Sequence, residues 1–312
     1  IYFSRYEKQR GIGLTHPGFV LLDKPAGDTS FKALFPLKRL FGTRRIGHAG
    51  TLDLRASGLI IAAVERATRL LPFIEVADKT YRFKLHLGFE TDTLEWDGKL
   101  VFQGEAKEIT EESLKQILPD FLGEQEQIPP NYSAIKINGV RASDLTHRGR
   151  NVTLSSRKIR IDSLVCLGKF STQLEETGKS FAVFDMECRC SKGTYIRALC
   201  RDLGHALGTY GCVSEIRRTA IGNISVENAV LPSELSLSSL LSVDKILPYP
   251  LFRLHENQIK ALRDGKWISF KSESAKEESL CFAANENGMV QALCSLEPGK
   301  LRPKFFIGQD NE

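Results

Sequence analysis

Asp53 sits five residues after His48 in the run Arg45-Ile46-Gly47-His48-Ala49-Gly50-Thr51-Leu52-Asp53-Leu54. Gly58 and the apolar run Leu59-Ile60-Ile61-Ala62-Ala63-Val64 follow. The pattern predicts a loop carrying one carboxylate, pinned against a buried strand. A carboxylate held that way is rigid and accessible, as a nucleophile must be. Alone, a loop aspartate reads first as a turn former or a helix cap. Tyr195 and Arg197 shift that balance. They stand two apart at the predicted start of a helix, directly after the Lys192-Gly193 turn. Residues two apart face different ways on a helix, so one can stack on a substrate while the other reaches a carboxylate. A nearby guanidinium would keep Asp53 ionised. The plainer readings are an exposed helix charge for Arg197 and core packing for Tyr81.

The elements that must position these groups follow from periodicity. Residues 18–23 read as a short buried strand ending in the turn Lys24-Pro25-Ala26-Gly27. Ser30 is placed to cap a helix over 30–41, with Pro36 forcing a kink or a late start. Residues 59–64 read as a buried strand, and 66–77 as a helix with Leu70, Leu71 and Ile74 inward. Residues 79–89 alternate: Tyr81, Phe83, Leu85, Leu87 and Phe89 on one face, Thr80, Arg82, Lys84 and His86 on the other. That predicts a strand with a basic outer face. Residues 110–121 read as an amphipathic helix, 181–190 as a strand and 195–207 as a helix closed by Gly208. Residues 123–154 lack a fixed apolar period and carry Lys136, Arg141, His147, Arg148 and Arg150. They read as an exposed excursion whose cations grip phosphate. Beyond Pro250 a short helix and short strands predict a small β-rich module.

With 312 residues, 42% hydrophobic and 26% charged, the chain is expected to be globular, with one large domain and one small. A net charge of +5 suits a polyanionic partner. No segment has the length of a membrane span, and nothing reads as a secretory signal. Seven scattered cysteines without a CxxC pair suggest free thiols in a reducing, cytoplasmic setting. Cys188, Cys190, Cys200, His205 and Cys212 match no common zinc spacing, so core packing is expected there and no metal.

Seven blocks give the chain a resemblance to the TruB-type tRNA pseudouridine synthases: GFVLLDKPAG at 18–27, RIGHAGTLDLRASG at 45–58, KTY at 79–81, LGFETDT at 87–93, IPPNYSAIK at 128–136, SKGTYIR at 191–197 and EIRR at 215–218. They keep that family's order and approximate spacing. The resemblance implies an α/β (α+β) fold built on a bent, mainly antiparallel mixed sheet flanked by helices. It implies a catalytic domain over 1–245, with the insertion at 123–154 clamping RNA, and a PUA-like RNA-binding domain over 250–312. The implied reaction turns uridine-55 of the tRNA T-loop into pseudouridine. Asp53 would be the nucleophile, attacking C6 of the base or C1′ of the ribose. Tyr81 would stack on the base, and Arg197 would pair with the aspartate. Tyr195 and Ile216 would line the pocket, and His48 would fill the space left by a base drawn from its stack. Lys24, Arg218, Lys136, Arg141 and Arg148 would bind the RNA.

The implied chemistry needs no cofactor. The implied partner is tRNA, held through its T-arm by a monomer with no obligate protein partner and no membrane attachment. Alternatives are a guide-RNA-dependent synthase subunit and a non-catalytic tRNA-binding or folding protein. An aspartate-based glycosidase lacks a clear second carboxylate partner for Asp53 in these blocks. Two positions depart from the family pattern. Leu54 stands where it has proline, which should loosen the loop slightly. Arg55 stands where it has an apolar residue, and its charge could meet phosphate or water.

Overall fold

Short strands and turns frame the aspartate, a wider antiparallel sheet carries Tyr81, and Tyr195 and Arg197 stand at the start of a helix. A computed structural model describes residues 16–106, 108–150, 152–174, 179–270 and 279–308. Along the chain come β1 (Gly18–Lys24), α1 (Ser30–Ala33), α2 (Phe35–Leu40), β2 (Ile46–Ala49), β3 (Ser57–Val64), α3 (Leu71–Glu75), β4 (Lys79–Leu87), β5 (Phe89–Thr91) and β6 (Leu100–Gln103). Then follow α4 (Glu111–Ile117), β7 (Gly123–Gln127), β8 (Lys136–Ile137), β9 (Val140–Arg141), α5 (Ala142–His147), β10 (Arg157–Leu174), β11 (Lys179–Cys190), α6 (Ile196–Ala206), β12 (Gly211–Ile221) and β13 (Ile224–Ser225). The tail holds β14 (Leu251–Arg253), α7 (Glu256–Arg263), β15 (Ile268–Ser269), β16 (Ser279–Ala284), β17 (Val290–Glu297) and β18 (Lys300–Phe306). Two compact units result: Ile1–Leu54, Gly58–Glu75 and Ile224–Glu312 form the first, Arg55–Ser57 and Val76–Asn223 the second.

In the first unit β3 is buried from Gly58 to Val64, as its apolar run predicts. It pairs antiparallel with β1, Leu21 opposite Ile61, and with β2, His48 opposite Ala62. The helix expected over 30–41 breaks at Leu34 into α1 and α2. Pro36 lies in the first turn of α2, where its missing N–H costs nothing. The cap of α1 is Thr29, whose side chain accepts from Lys32 N at 3.0 Å, and not Ser30. The helix expected over 66–77 is a 3-10 turn, Glu65–Leu70, followed by α3, with Pro72 in the first turn of α3. The tail is β-rich, as expected: a sheet in the order β14-β16-β17-β18-β15, with Ile259 and Leu262 of α7 in its apolar core.

In the second unit the strands run in the order β12-β4-β11-β10-β7, every neighbour antiparallel. Phe83, Leu85 and Leu87 of β4 are buried, as the alternation predicts. The opposite face is not a basic surface throughout. Arg82 pairs with Glu187 at 2.8 Å and Lys84 with Glu215 at 3.0 Å. His86 is buried, within 2.7 Å of Ser214 Oγ, and its ring meets Phe89, Trp96 and Phe181. Burial pushes its pKa down to about 4, so it is neutral near pH 7. The excursion expected from residue 123 begins later, because Gly123–Gln127 form β7 and pair with β10. Its sequence GEQEQ lacks an apolar alternation because it is a mostly exposed strand, with only Gln127 buried.

Helix α6 approaches β12 closely. A Cβ on Gly211 would collide with the Cys200 carbonyl, and one on Gly204 with the Gly211 backbone. This backbone-to-backbone fit fixes the helix whose first turn holds Arg197. No helix among the described residues is long and apolar enough to cross a membrane.

Candidate active site

The aspartate loop is fastened on both sides of Asp53. Strand β2 ends at Ala49, and the φ of +69° at Gly50 then turns the chain in a way that suits glycine. Leu52 N donates to Ser30 Oγ at 2.9 Å, and the same hydroxyl donates to Leu52 O at 3.1 Å. Both residues are buried. One residue past Asp53, Leu54 O accepts from Gly27 N at 2.8 Å and from Lys24 Nζ at 3.3 Å. Asp53 is thus flanked by two tethered peptide groups while its own residue stays half-exposed. A carboxylate fixed in this way needs little reorganisation before it reacts.

Lys24, expected to meet substrate, is fully buried. Its ammonium also donates to Pro25 O at 2.9 Å and Asp28 O at 2.6 Å. It offers no charge to solvent here, and this placement suits support of the loop. His48 lies on β2 and not in the loop, with Nε2 3.4 Å from Thr51 Oγ1. Sequence marks Ser30 as a helix cap and Gly27 as a turn residue, and gives neither a part in the aspartate loop. Their partners lie 22 and 27 residues away, and no local pattern marks them.

In the second unit Arg197 is not an exposed helix charge but is 5% exposed. It donates to Thr93 O at 3.1 Å and to Tyr132 O at 2.9 Å, and its Nε lies 3.9 Å from Glu95 Oε1. Three blocks, 87–93, 128–136 and 191–197, therefore meet at this guanidinium. Burial, then the Asp92 carboxylate, push the Tyr132 phenol pKa up. Tyr195 sits just before α6 in extended backbone, φ −103°. Gln127, 2% exposed, clasps it by accepting from Tyr195 N at 2.9 Å and donating to Tyr195 O at 3.2 Å. The Arg157 guanidinium lies 5.5 Å from the Tyr195 ring centroid. Gln127 has no mark in the sequence, because β7 is mostly exposed and carries no apolar period.

Tyr81 is half-buried on β4, opposite Cys188 of β11 and Arg218 of β12. Arg218 is 1% exposed, so it too presents no charge to solvent. Ile216, buried, lies at a register shift between Ser214 and Arg217, where Glu215 takes φ +52°. Such a bulge re-aims side chains within a strand. Arg55 is engaged by carboxylates, Asp97 in an ion pair and Glu95 at 3.9 Å.

Lys136, Arg141 and Arg148 are all exposed. Lys136 stands directly opposite Arg141 across the β8–β9 hairpin. Like charges placed so repel, and an anion between them would relieve that cost. Cys188, Cys190, Cys200 and Cys212 are buried within the second unit, and burial raises the Cys200 and Cys212 thiol pKa values. His205 instead contacts Glu90 at 3.0 Å.

Comparison with known proteins gives the family and the fold. A family model described as TruB family pseudouridylate synthase (N terminal domain) matches residues 38–196. One described as tRNA pseudouridylate synthase B C-terminal domain matches 197–245. The chain is 36% identical over 294 residues to tRNA pseudouridine synthase B of Mycobacterium sp. (strain KMS), covering 93% of this chain and 95% of the relative. It is 35% identical over 298 residues to the protein of that name in Corynebacterium efficiens, covering 94% and 97%. Two solved structures share the fold at 19% identity. One is an H/ACA RNP bound to a substrate RNA containing 2'-deoxyuridine, with TM-score 0.66 over 94% of this chain and 85% of that chain. The other is an archaeal box H/ACA sRNP Nop10-Cbf5 complex, with TM-score 0.63 over 93% and 86%. With kinship running along nearly the whole length of both relatives, the chain belongs to the TruB family of pseudouridylate synthases.

Proposed function

We propose that the protein isomerises uridine to pseudouridine at position 55 in the T-loop of tRNA, with Asp53 as the nucleophile on a flipped-out base. The tethered Asp53 loop carries this reading, and relatives named tRNA pseudouridine synthase B support the choice of substrate. The reaction breaks the C1′–N1 bond, turns the base and joins C1′ to C5. The C5 proton leaves to solvent and N1 gains one, so there is no net redox change and no cofactor or metal is required. A carboxylate nucleophile divides this exchange into easier steps.

In this reading Tyr81 stacks on the base, Arg197 pairs with Asp53, and Tyr195 and Ile216 line the pocket. His48 occupies the gap in the opened T-loop. Lys24 and Arg218 hold the pocket from within. Lys136, Arg141 and Arg148 grip the T-arm backbone, a role that their exposure and the facing pair Lys136 and Arg141 support. The tail acts as a PUA-like module on the same RNA, and the enzyme works as a cytoplasmic monomer.

The test is tritium release from a tRNA transcript labelled at uridine C5, without added guide RNA. The parent should release tritium and Asp53→Asn should release none. Equal release from both would remove Asp53 as nucleophile. Release only after a guide RNA is supplied would overturn the stand-alone reading.

A further inference from the structure

Helices α1 and α2 carry two stripes, of which the fold uses one. Ser30, Ala33, Leu34, Leu37 and Phe41 point inward and are buried. Phe31, Phe35 and Lys38, spaced i, i+4 and i+7, point outward. Phe31 is 56% and Phe35 47% exposed. Their rings meet edge to face, centroids 5.1 Å apart at 76°. Lys38 Nζ lies over both, 4.5 Å from one centroid and 5.3 Å from the other.

The surrounding sequence is wholly basic. Residues 29–52 hold Lys32, Lys38, Arg39, Arg44 and Arg45 and no Asp or Glu. These five charges match the net +5 of the whole chain. Lys32 is paired with Asp28 at 2.6 Å, and Arg45 faces Glu65 at 3.9 Å, both in exposed settings that tie up little charge. Arg39 and Arg44 are exposed.

Phenylalanine at two outward positions does nothing for solubility and is not needed by the core. An exposed basic stretch repels a second copy of itself and attracts a polyanion. A polyanion that also offers flat π faces is a nucleic acid with unpaired bases, and aromatic side chains among cations form the usual platform for it. The platform is attached to the aspartate loop: Ser30, next to Phe31, is the residue bonded to Leu52, next to Asp53.

We propose that Phe31, Phe35 and Lys38 form a stacking site for an unpaired base of the RNA substrate other than the target uridine, with Arg39 and Arg44 on the flanking phosphates. This rests on the RNA-substrate reading above. The site adds affinity and register, and it takes no part in the isomerisation step.

The test compares the full-length parent, Phe31→Ala/Phe35→Ala, Phe31→Leu/Phe35→Leu and Arg39→Gln/Arg44→Gln. Affinity for a tRNA transcript is measured at several salt concentrations, along with tritium release at saturating enzyme. The Ala pair should bind about tenfold more weakly, as loss of one stacked base implies, with the parent's salt slope and saturated rate. The Leu pair keeps apolar area without π faces and should also bind weakly. The Arg pair should lower the salt slope by between about one and two.

Parent-like binding by the Ala pair overturns the site. Parent-like binding by the Leu pair overturns stacking as its basis. A defect that follows a change in oligomeric state by sedimentation overturns it in favour of a contact between copies. A parent that neither binds nor modifies tRNA fails the function reading itself, whereas an active parent matched by the Ala pair fails only the platform.

Discussion

Replacing Ser30 by alanine should damage the aspartate loop without touching any group that could meet substrate. The hydroxyl makes two bonds to the backbone of one residue, accepting from Leu52 N and donating to Leu52 O. Ser30 is 2% and Leu52 5% exposed, so water cannot replace the hydroxyl unless the loop moves. Leaving a buried donor or acceptor unsatisfied costs about 1–3 kcal/mol each. If the loop stays put, the two together cost about 2–6 kcal/mol, read as a lower urea midpoint at unchanged slope. If the loop loosens to hydrate Leu52, the stability loss shrinks towards about 1 kcal/mol and the defect moves into the rate. The tritium-release rate at saturating tRNA should then fall about tenfold for each 1.4 kcal/mol of lost loop restraint, with tRNA affinity little changed. The two outcomes trade against each other, so both assays must be run on one preparation. A Ser30→Ala protein with parental midpoint and parental rate would refute the claim that this hydroxyl fastens the loop.

Other perturbations follow from the same structure. Lys24→Met removes a buried ammonium from the carbonyls of Pro25, Asp28 and Leu54; the saturated rate should drop more than tenfold with a small change in tRNA affinity, and the reverse split, weak binding at a normal rate, would mark Lys24 as an RNA contact. His86 has its pKa lowered from 6.5 to about 4 by burial. Its neutral form is the one the fold favours, so its contribution is fully present above pH 6.5 and is lost as pH falls towards 4, by about 3 kcal/mol. In His86→Phe, urea midpoints should fall less between pH 6.5 and 4 than in the parent, and identical pH profiles would contradict this. Gly211→Ala should push α6 from β12 and lower stability by about 3 kcal/mol in urea unfolding, and a parental midpoint would show that the helix can shift without cost. Leu54→Pro should stay within about 1 kcal/mol of the parent and keep its tritium-release rate; a rate loss beyond tenfold would show that the loop depends on leucine.

What the sequence disclosed depended on whether the signal was local. The buried run of β3, the alternation of β4 and the inward face of α6 are periodic within their own segments, and the structure matches them. The edge strand β7 carries no such period because almost none of it is buried. His86 alternates with Arg82 and Lys84 and so reads as surface, yet Phe89, Trp96 and Phe181 close over it. No periodicity within residues 79–89 encodes that cover. The same limit applies to the site. Asp53, Tyr81 and Arg197 stand in recognisable blocks, but the groups around them act through backbone. Arg197 donates to the carbonyls of Thr93 and Tyr132, and Gln127 bonds both the backbone N–H and the carbonyl of Tyr195. A carbonyl acceptor is the same whatever side chain stands beside it, so its use leaves no mark on residue type.

That distinction resolves the departure at Leu54 and Arg55. A proline after the aspartate would restrict φ, mainly by narrowing the unfolded chain, an effect of about 0.4–1 kcal/mol. The tethers act on the carbonyl of residue 54, from Gly27 N and Lys24 Nζ, and on both backbone polar atoms of Leu52. Proline and leucine present the same carbonyl, so these bonds are indifferent to the exchange. Each is worth about 1 kcal/mol net, and the ammonium bond more, so together they exceed what the missing ring would add. Arg55 follows the same logic from the side-chain end. With Asp97 and Glu95 beside it, its charge is balanced where it stands. The loop's rigidity therefore comes from tertiary bonds that residue 54 cannot abolish by changing type, and the unusual pair is compatible with a working aspartate.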